Sequence, residues 1–108
     1  MRTNELRGEV RVPITHRGML GVPNAWHPCL IEDISTQGFL IVSSLKAQVE
    51  DTLELKSELY PERVLQCLIE VRHVKDDCLG TMIVEVSDEG MKLCKQFIDE
   101  RVSLKRFG

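Results

Sequence analysis

Aromatic side chains are scarce in this chain, with one Trp, one Tyr and three Phe in 108 residues. Proteins that hold single-stranded nucleic acid stack bases on such rings, so that class is disfavoured. A formal net charge of -3 also argues against general affinity for polyanions, which rests on neutralising phosphates. No apolar run approaches the roughly 20 residues that span a bilayer, and no charged-then-apolar leader opens the chain, so the expected location is the cytosol. The four cysteines, Cys29, Cys67, Cys78 and Cys94, form no C-x-x-C and no paired Cys/His spacing. His27 and Cys29 share a strand face, but two ligands do not make a metal site. Three of the cysteines sit among apolar neighbours, as reduced thiols acting as small hydrophobes do. No phosphate-cradling P-loop is present, and no His or Lys stands at a recognisable spacing from Asp33 and Ser35 to act as a base. The chain reads as a binding protein without a cofactor, not as an enzyme.

What is present suits one domain with a modest core, at 43% apolar and 29% charged residues. Residues 1–9 are polar and without period, which reads as a flexible arm, and residues 10–108 read as the folded domain. Val10 to Val22 is β-branched and interrupted by Pro13 and Gly18, as in an edge or bulged strand. Pro23-Asn24 signals a turn into a strand from Ala25 to Ile34. Ser35 to Gly38 then turns that strand into Phe39 to Val42, forming a hairpin.

Thr52 to Lys56 alternates, and so does Val64 to Val74, with Leu65, Cys67, Ile69 and Val71 on one parity. Asp76-Asp77 turns the chain into a last strand over Leu79 to Val86, with Met82, Val84 and Val86 on one side. The connection from Leu45 to Asp51 carries no clear period. After Ser87 and Asp88, both good N-caps, Met91, Cys94, Phe97, Ile98 and Val102 recur at spacings of three and four, which predicts an amphipathic helix. Six strands with turn-rich connections and one closing helix predict a mainly β fold, a six-stranded antiparallel β-barrel, because closure removes exposed sheet edges.

The chemistry gathers in two short motifs. Arg7 and Arg11 form R-x-x-x-R in a segment with more Arg than Glu, and on extended chain they stand about 13 Å apart at about 3.4 Å per residue. Guanidinium pairs in bidentate fashion with phosphate oxygens and with the O6/N7 edge of guanine. Asp33 begins D-x-S-x-x-G, and its carboxylate can accept from the opposite, N1-H and N2-H edge. Ser35 can bond a phosphate or its own turn, and Gly38 permits positive φ or close backbone approach. At average residue usage the ordered pair arises by chance in about one chain in a thousand of this length, so together the motifs carry information that neither carries alone.

The R-x-x-x-R of Arg7 to Arg11 followed by the D-x-S-x-x-G of Asp33 to Gly38 resembles the PilZ domain, and the resemblance covers nearly the whole chain. It implies a PilZ-like six-stranded barrel and a bacterial receptor for the second messenger cyclic di-GMP. Arg7 and Arg11 would wrap the ligand from the arm, and Asp33, Ser35 and Gly38 would hold a guanine and its phosphate on the barrel. Ordering of the arm would then signal to an effector protein of motility, polysaccharide or pilus machinery. Many binders have a second arginine directly after the first, where this chain has Gly8, which bears on affinity and on ligand stoichiometry. Some members also stack a side chain on the guanine from near Arg72 or His73, but His73 shares parity with Val71, which predicts a packed histidine. The rival reading is a PilZ-type protein interaction module that needs no nucleotide, although such members tend to lack the arginine motif.

Overall fold

The computed structural model describes residues 10–107, with side chains through Ser103. Residues 1–9, and with them Arg7 and the expected arm, lie outside the described residues. Six strands follow in order: β1 (Val12–Val22), β2 (Ala25–Ile34), β3 (Gly38–Val42), β4 (Thr52–Tyr60), β5 (Arg63–Lys75) and β6 (Cys78–Val86). They close antiparallel in the order β1-β2-β3-β6-β5-β4, and one helix, α1 (Asp88–Phe107), ends the chain. The turns at Pro23-Asn24 and Asp76-Asp77 fall where the sequence predicts them, and a further one at Pro61-Glu62 joins β4 to β5. Asn24 and Asp76 adopt φ of 70° and 55°, a region that asparagine and aspartate tolerate better than most residues.

Alternation fills the interior. Leu65, Cys67, Ile69 and Val71 of β5 all point inward, meeting Leu20, Ile31, Phe39, Ile41 and Leu55 from the other strands. The parity of Met82 and Val84 in β6 instead faces outward, and Leu79 and Thr81 supply that strand's buried side chains. The stretch that lacked a period proves to be a pairing segment. Glu50 N donates to Val71 O at 2.7 Å and Val71 N donates to Asp51 O at 2.9 Å, while Leu45 and Ala47 pack against the core.

Helix α1 starts at a serine cap, with Gly90 N donating to Ser87 Oγ at 3.0 Å and Met91 N donating to Ser87 O at 2.9 Å. It buries Leu93, Cys94, Phe97 and Ile98 against the barrel, touching β5 and β1. Phe97 is the anchor. The rings of His16 and Tyr60 meet it edge-on at 5.5 and 5.8 Å, and the Arg101 guanidinium lies 3.6 Å from its centroid. Tyr60 OH donates to Glu100 Oε1 at 2.6 Å, tying β4 to the helix.

Partial burial and the bond to Glu100 push the Tyr60 hydroxyl up from 10.0 to about 12. A group that holds its proton more tightly when folded stabilises the fold below its unfolded value, and loses that contribution as pH rises through the folded one. Burial raises the Cys29 and Cys94 thiols to about 11 and Cys67 to about 12, with the same sign and an onset from 9.0. The urea midpoint is therefore expected to fall between pH 9 and 12. Tyr60→Phe should flatten the part above pH 10, and superimposable profiles for the two proteins would exclude Tyr60 as a contributor.

Candidate ligand-binding site

The two motifs meet at one end of the barrel. Arg11, just before β1, donates through Nη2 to Asp33 Oδ1 near the end of β2, at 2.6 Å. Both side chains keep access to solvent, at 41% and 22% exposed. An ion pair this accessible contributes at most about 1 kcal/mol to stability.

Asp33 faces outward because β2 bulges beside it. Ile31 pairs with Ile41 and Asp33 with Leu40, so β2 carries one extra residue, Glu32, between those pairs. Ile31 and Ile34 can then both point inward while Asp33 stays at the surface. β1 carries its own bulge opposite, between Pro13 and His16.

A third bulge corrects the expectation for His73. Val71 pairs with Thr81 but His73 pairs with Gly80, so the alternation that buries Val71 skips at Arg72 and leaves His73 on the outside. It is exposed, not packed in the core. Its ring lies over Gly80, where an added Cβ would come 2.1 Å from His73 Cε1. Across the sheet, Pro13, Asp33, Leu40, Gly80 and His73 are successive partners. They form one outward row, with a carboxylate on one side, an apolar shelf in the middle and an imidazole on the other.

Ser35 and Gly38 occupy the layer beneath. Ser35 is 0% exposed, and its Oγ accepts from Gln37 N and Gly38 N, each at 3.0 Å, and donates to Gly38 O at 3.2 Å. Gly38 owes its identity to crowding, since a Cβ there would stand 2.0 Å from the Thr81 carbonyl oxygen in β6. Of the five predicted residues, the fold thus unites Arg11 and Asp33 at the surface and sets Ser35 and Gly38 under them. Arg7 lies outside the described residues. Leu40 and Gly80 were not singled out from the sequence, because only the register brings them beside Asp33.

Among the described residues no group of three or more His, Cys, Asp or Glu is placed to hold a metal ion, and no helix is long and apolar enough to cross a membrane. No curated protein matches the chain in sequence. Solved structures share its fold. The inhibitor of motility MotI/DgrA from Bacillus subtilis superposes with a TM-score of 0.81 at 22% identity, covering 93% of this chain and 53% of that one, so this chain spans about half its length. The PilZ domain of YcgR from Escherichia coli, solved with cyclic di-GMP, gives 0.74 at 12% identity over 93% of this chain and 94% of that one. The PilZ domain of CeSA from a cellulose-synthesizing bacterium gives 0.64 at 11% identity, over 89% and 98%. The sequence pattern of the PilZ domain matches residues 5–100, and with that match this chain belongs to the PilZ domain family, a family of cyclic di-GMP receptors.

Proposed function

We propose that this chain is itself a cyclic di-GMP receptor, not an enzyme, and that it signals to a partner protein. The observation that carries the reading is the Arg11–Asp33 contact, which joins the two motifs at the head of the outward row. Cyclic di-GMP presents guanine edges and phosphates together. On binding, the Arg11 fork turns to a phosphate or to a guanine O6/N7 edge, Asp33 accepts from N1-H and N2-H, and Arg7 adds a second cation. One exposed ion pair is exchanged for several charge-assisted hydrogen bonds. Leu40 and the His73 ring over Gly80 offer a shelf for a base. Ser35 and Gly38 act from below, by fixing the corner that aims Asp33.

The signal follows from the same exchange. Residues 1–11 gain contacts that exist only with ligand present, so binding shifts how the N-terminal segment lies on the barrel and what surface a partner meets. Resemblance in fold to an inhibitor of motility makes motility machinery one candidate class of partner. The alternative, an interaction module indifferent to nucleotide, would keep Arg11 and Asp33 only as a structural pair.

Titration calorimetry with cyclic di-GMP, with GTP as control, is expected to show selective, saturable binding. Loss of a charge-assisted bond costs about 1.5–3 kcal/mol, so Arg11→Ala and Asp33→Ala should each weaken affinity by about tenfold or more with the fold intact. Folded wild-type protein that neither evolves heat nor displaces labelled ligand would favour the nucleotide-independent module. Ser35→Ala and Gly38→Ala should behave differently. The first leaves buried amides without their acceptor, and the second pushes β3 from β6, each costing about 1–3 kcal/mol of folding stability in urea. Unchanged urea midpoints together with lost binding would instead make Ser35 and Gly38 direct contacts.

A further inference from the structure

Beyond the arginine–aspartate pair, the outer face of β1 and β2 presents large apolar side chains that the barrel leaves uncovered. Trp26 is 42% exposed, and Met19 and Leu30 are each 37% exposed. Pairing makes them neighbours, with Gly21 opposite Trp26, Met19 opposite Pro28, and Leu30 between Arg17 and Val42. Arg17, Met19, Pro28, Cys29, Leu30 and Val42 line an open depression of about 490 Å³. Apolar residues scattered singly over a surface need no explanation, but a contiguous run with charged borders marks an interaction site.

Trp26 is held ready. Its ring lies on Gly21, where an added Cβ would stand 2.7 Å from Trp26 Cζ3, and Lys56 Nζ sits 4.3 Å from the ring centroid. A large side chain already fixed loses little freedom on association. Tryptophan and arginine are also the types that dominate binding energy at protein interfaces.

Three cations border the run. Arg17 pairs with Leu30, Lys56 with Met19, and Lys75 with Cys78, which in turn pairs with Val42. Of the nearby carboxylates, Glu54 is bonded by Gln66 Nε2 at 2.6 Å and Glu58 Oε2 by Glu62 N at 2.8 Å, Asp76 and Asp77 lie at the hairpin tip beyond Lys75, and exposed Glu32 stands two residues beyond Leu30, toward Asp33. An anionic membrane suits this face less well, because a flat anionic surface would meet exposed Glu32, Asp76 and Asp77 together with the cations, whereas a protein segment need place its carboxylates only against Arg17, Lys56 and Lys75.

We propose that this face docks a partner protein through an apolar segment flanked by carboxylates, and that a nucleotide held at Asp33 forms one border of the interface. Leu30 lies three residues from Asp33 on β2, about 10 Å at about 3.3 Å per residue. Only the nucleotide border rests on the receptor reading. The docking face stands on its own residues.

Trp26 is the chain's one tryptophan, so its emission reports on this face alone. The probes are two tryptophan-free peptides with leucines at helical spacing, one with glutamates and one with lysines at the remaining positions. Vesicles of phosphatidylglycerol and phosphatidylcholine serve as a third. The Leu/Glu peptide is expected to shift the emission to the blue saturably, and Arg17→Glu or Leu30→Ser, folded by circular dichroism, should weaken it about tenfold. No shift, an equal response to the Leu/Lys peptide, a response to vesicles, or a shift with protein concentration alone would each overturn the docking surface. Saturating cyclic di-GMP should change the peptide's affinity several-fold, and an unchanged affinity removes the shared border. Wild type that binds no cyclic di-GMP in calorimetry sinks the receptor reading instead, while the peptide result stays readable.

Discussion

The carbonyl oxygen of Thr81 stands where a side chain at position 38 would begin, 2.0 Å from an ideal Cβ, and much of the site depends on that contact. Because Gly38 permits it, β3 and β6 approach closely at the corner of the barrel. Thr81 Oγ1 then donates to Phe39 O at 2.9 Å, and Ile83 N donates to Gln37 O at 2.8 Å. The turn is braced from within by Ser35, whose own carbonyl accepts a weak bond from Cys94 Sγ of α1 at 3.6 Å. Two strands and the helix are thus joined to the four residues that follow Asp33 and Ile34. This small buried network gives the segment beside Asp33 a rigidity that a surface loop lacks.

The division of labour inside D-x-S-x-x-G follows from burial. Asp33 is in reach of solvent and of Arg11, whereas Ser35 is sealed and Gly38 is pressed against a neighbouring backbone. The motif therefore sets one solvent-accessible residue above two that are buried in the corner. On the outer wall, the row through Asp33, Leu40 and Gly80 and the run through Leu30, Met19 and Trp26 share strands β1 to β3. A small barrel has few ways to pass information inward, since its core is close-packed. Adjacency on the outside is the shorter link between the two features.

Much of the architecture was legible along the chain. Period-two alternation in β5, the turn at Asp76-Asp77, the hairpin around Ser35 to Gly38 and the serine-capped helix all match the residues that drew attention to them. Of the two motifs, Arg11 and Asp33 meet in the structure, while Arg7 lies outside the described residues. The Leu45 to Asp51 connection was opaque, since its order comes from backbone bonds to Val71 and not from any side-chain pattern. His73 misled for a related reason. Parity is a property of an unbroken ladder, and one extra residue at Arg72 reverses it.

The sequence by itself determined the strand and helix periods, the turn chemistry, the absence of P-loop and C-x-x-C motifs, and the family to which the motifs point. These are local matters, governed by residue type and spacing over a few positions. Tertiary structure decided which residues share a surface: that Arg11 reaches Asp33, that Leu40 and Gly80 lie beside it, that His73 faces out, and that Met19, Leu30 and Trp26 stand together. Those neighbours are set by strand register and by the bulges that shift it. Register emerges only when all six strands close on one core, and no single segment carries that condition in its own residues.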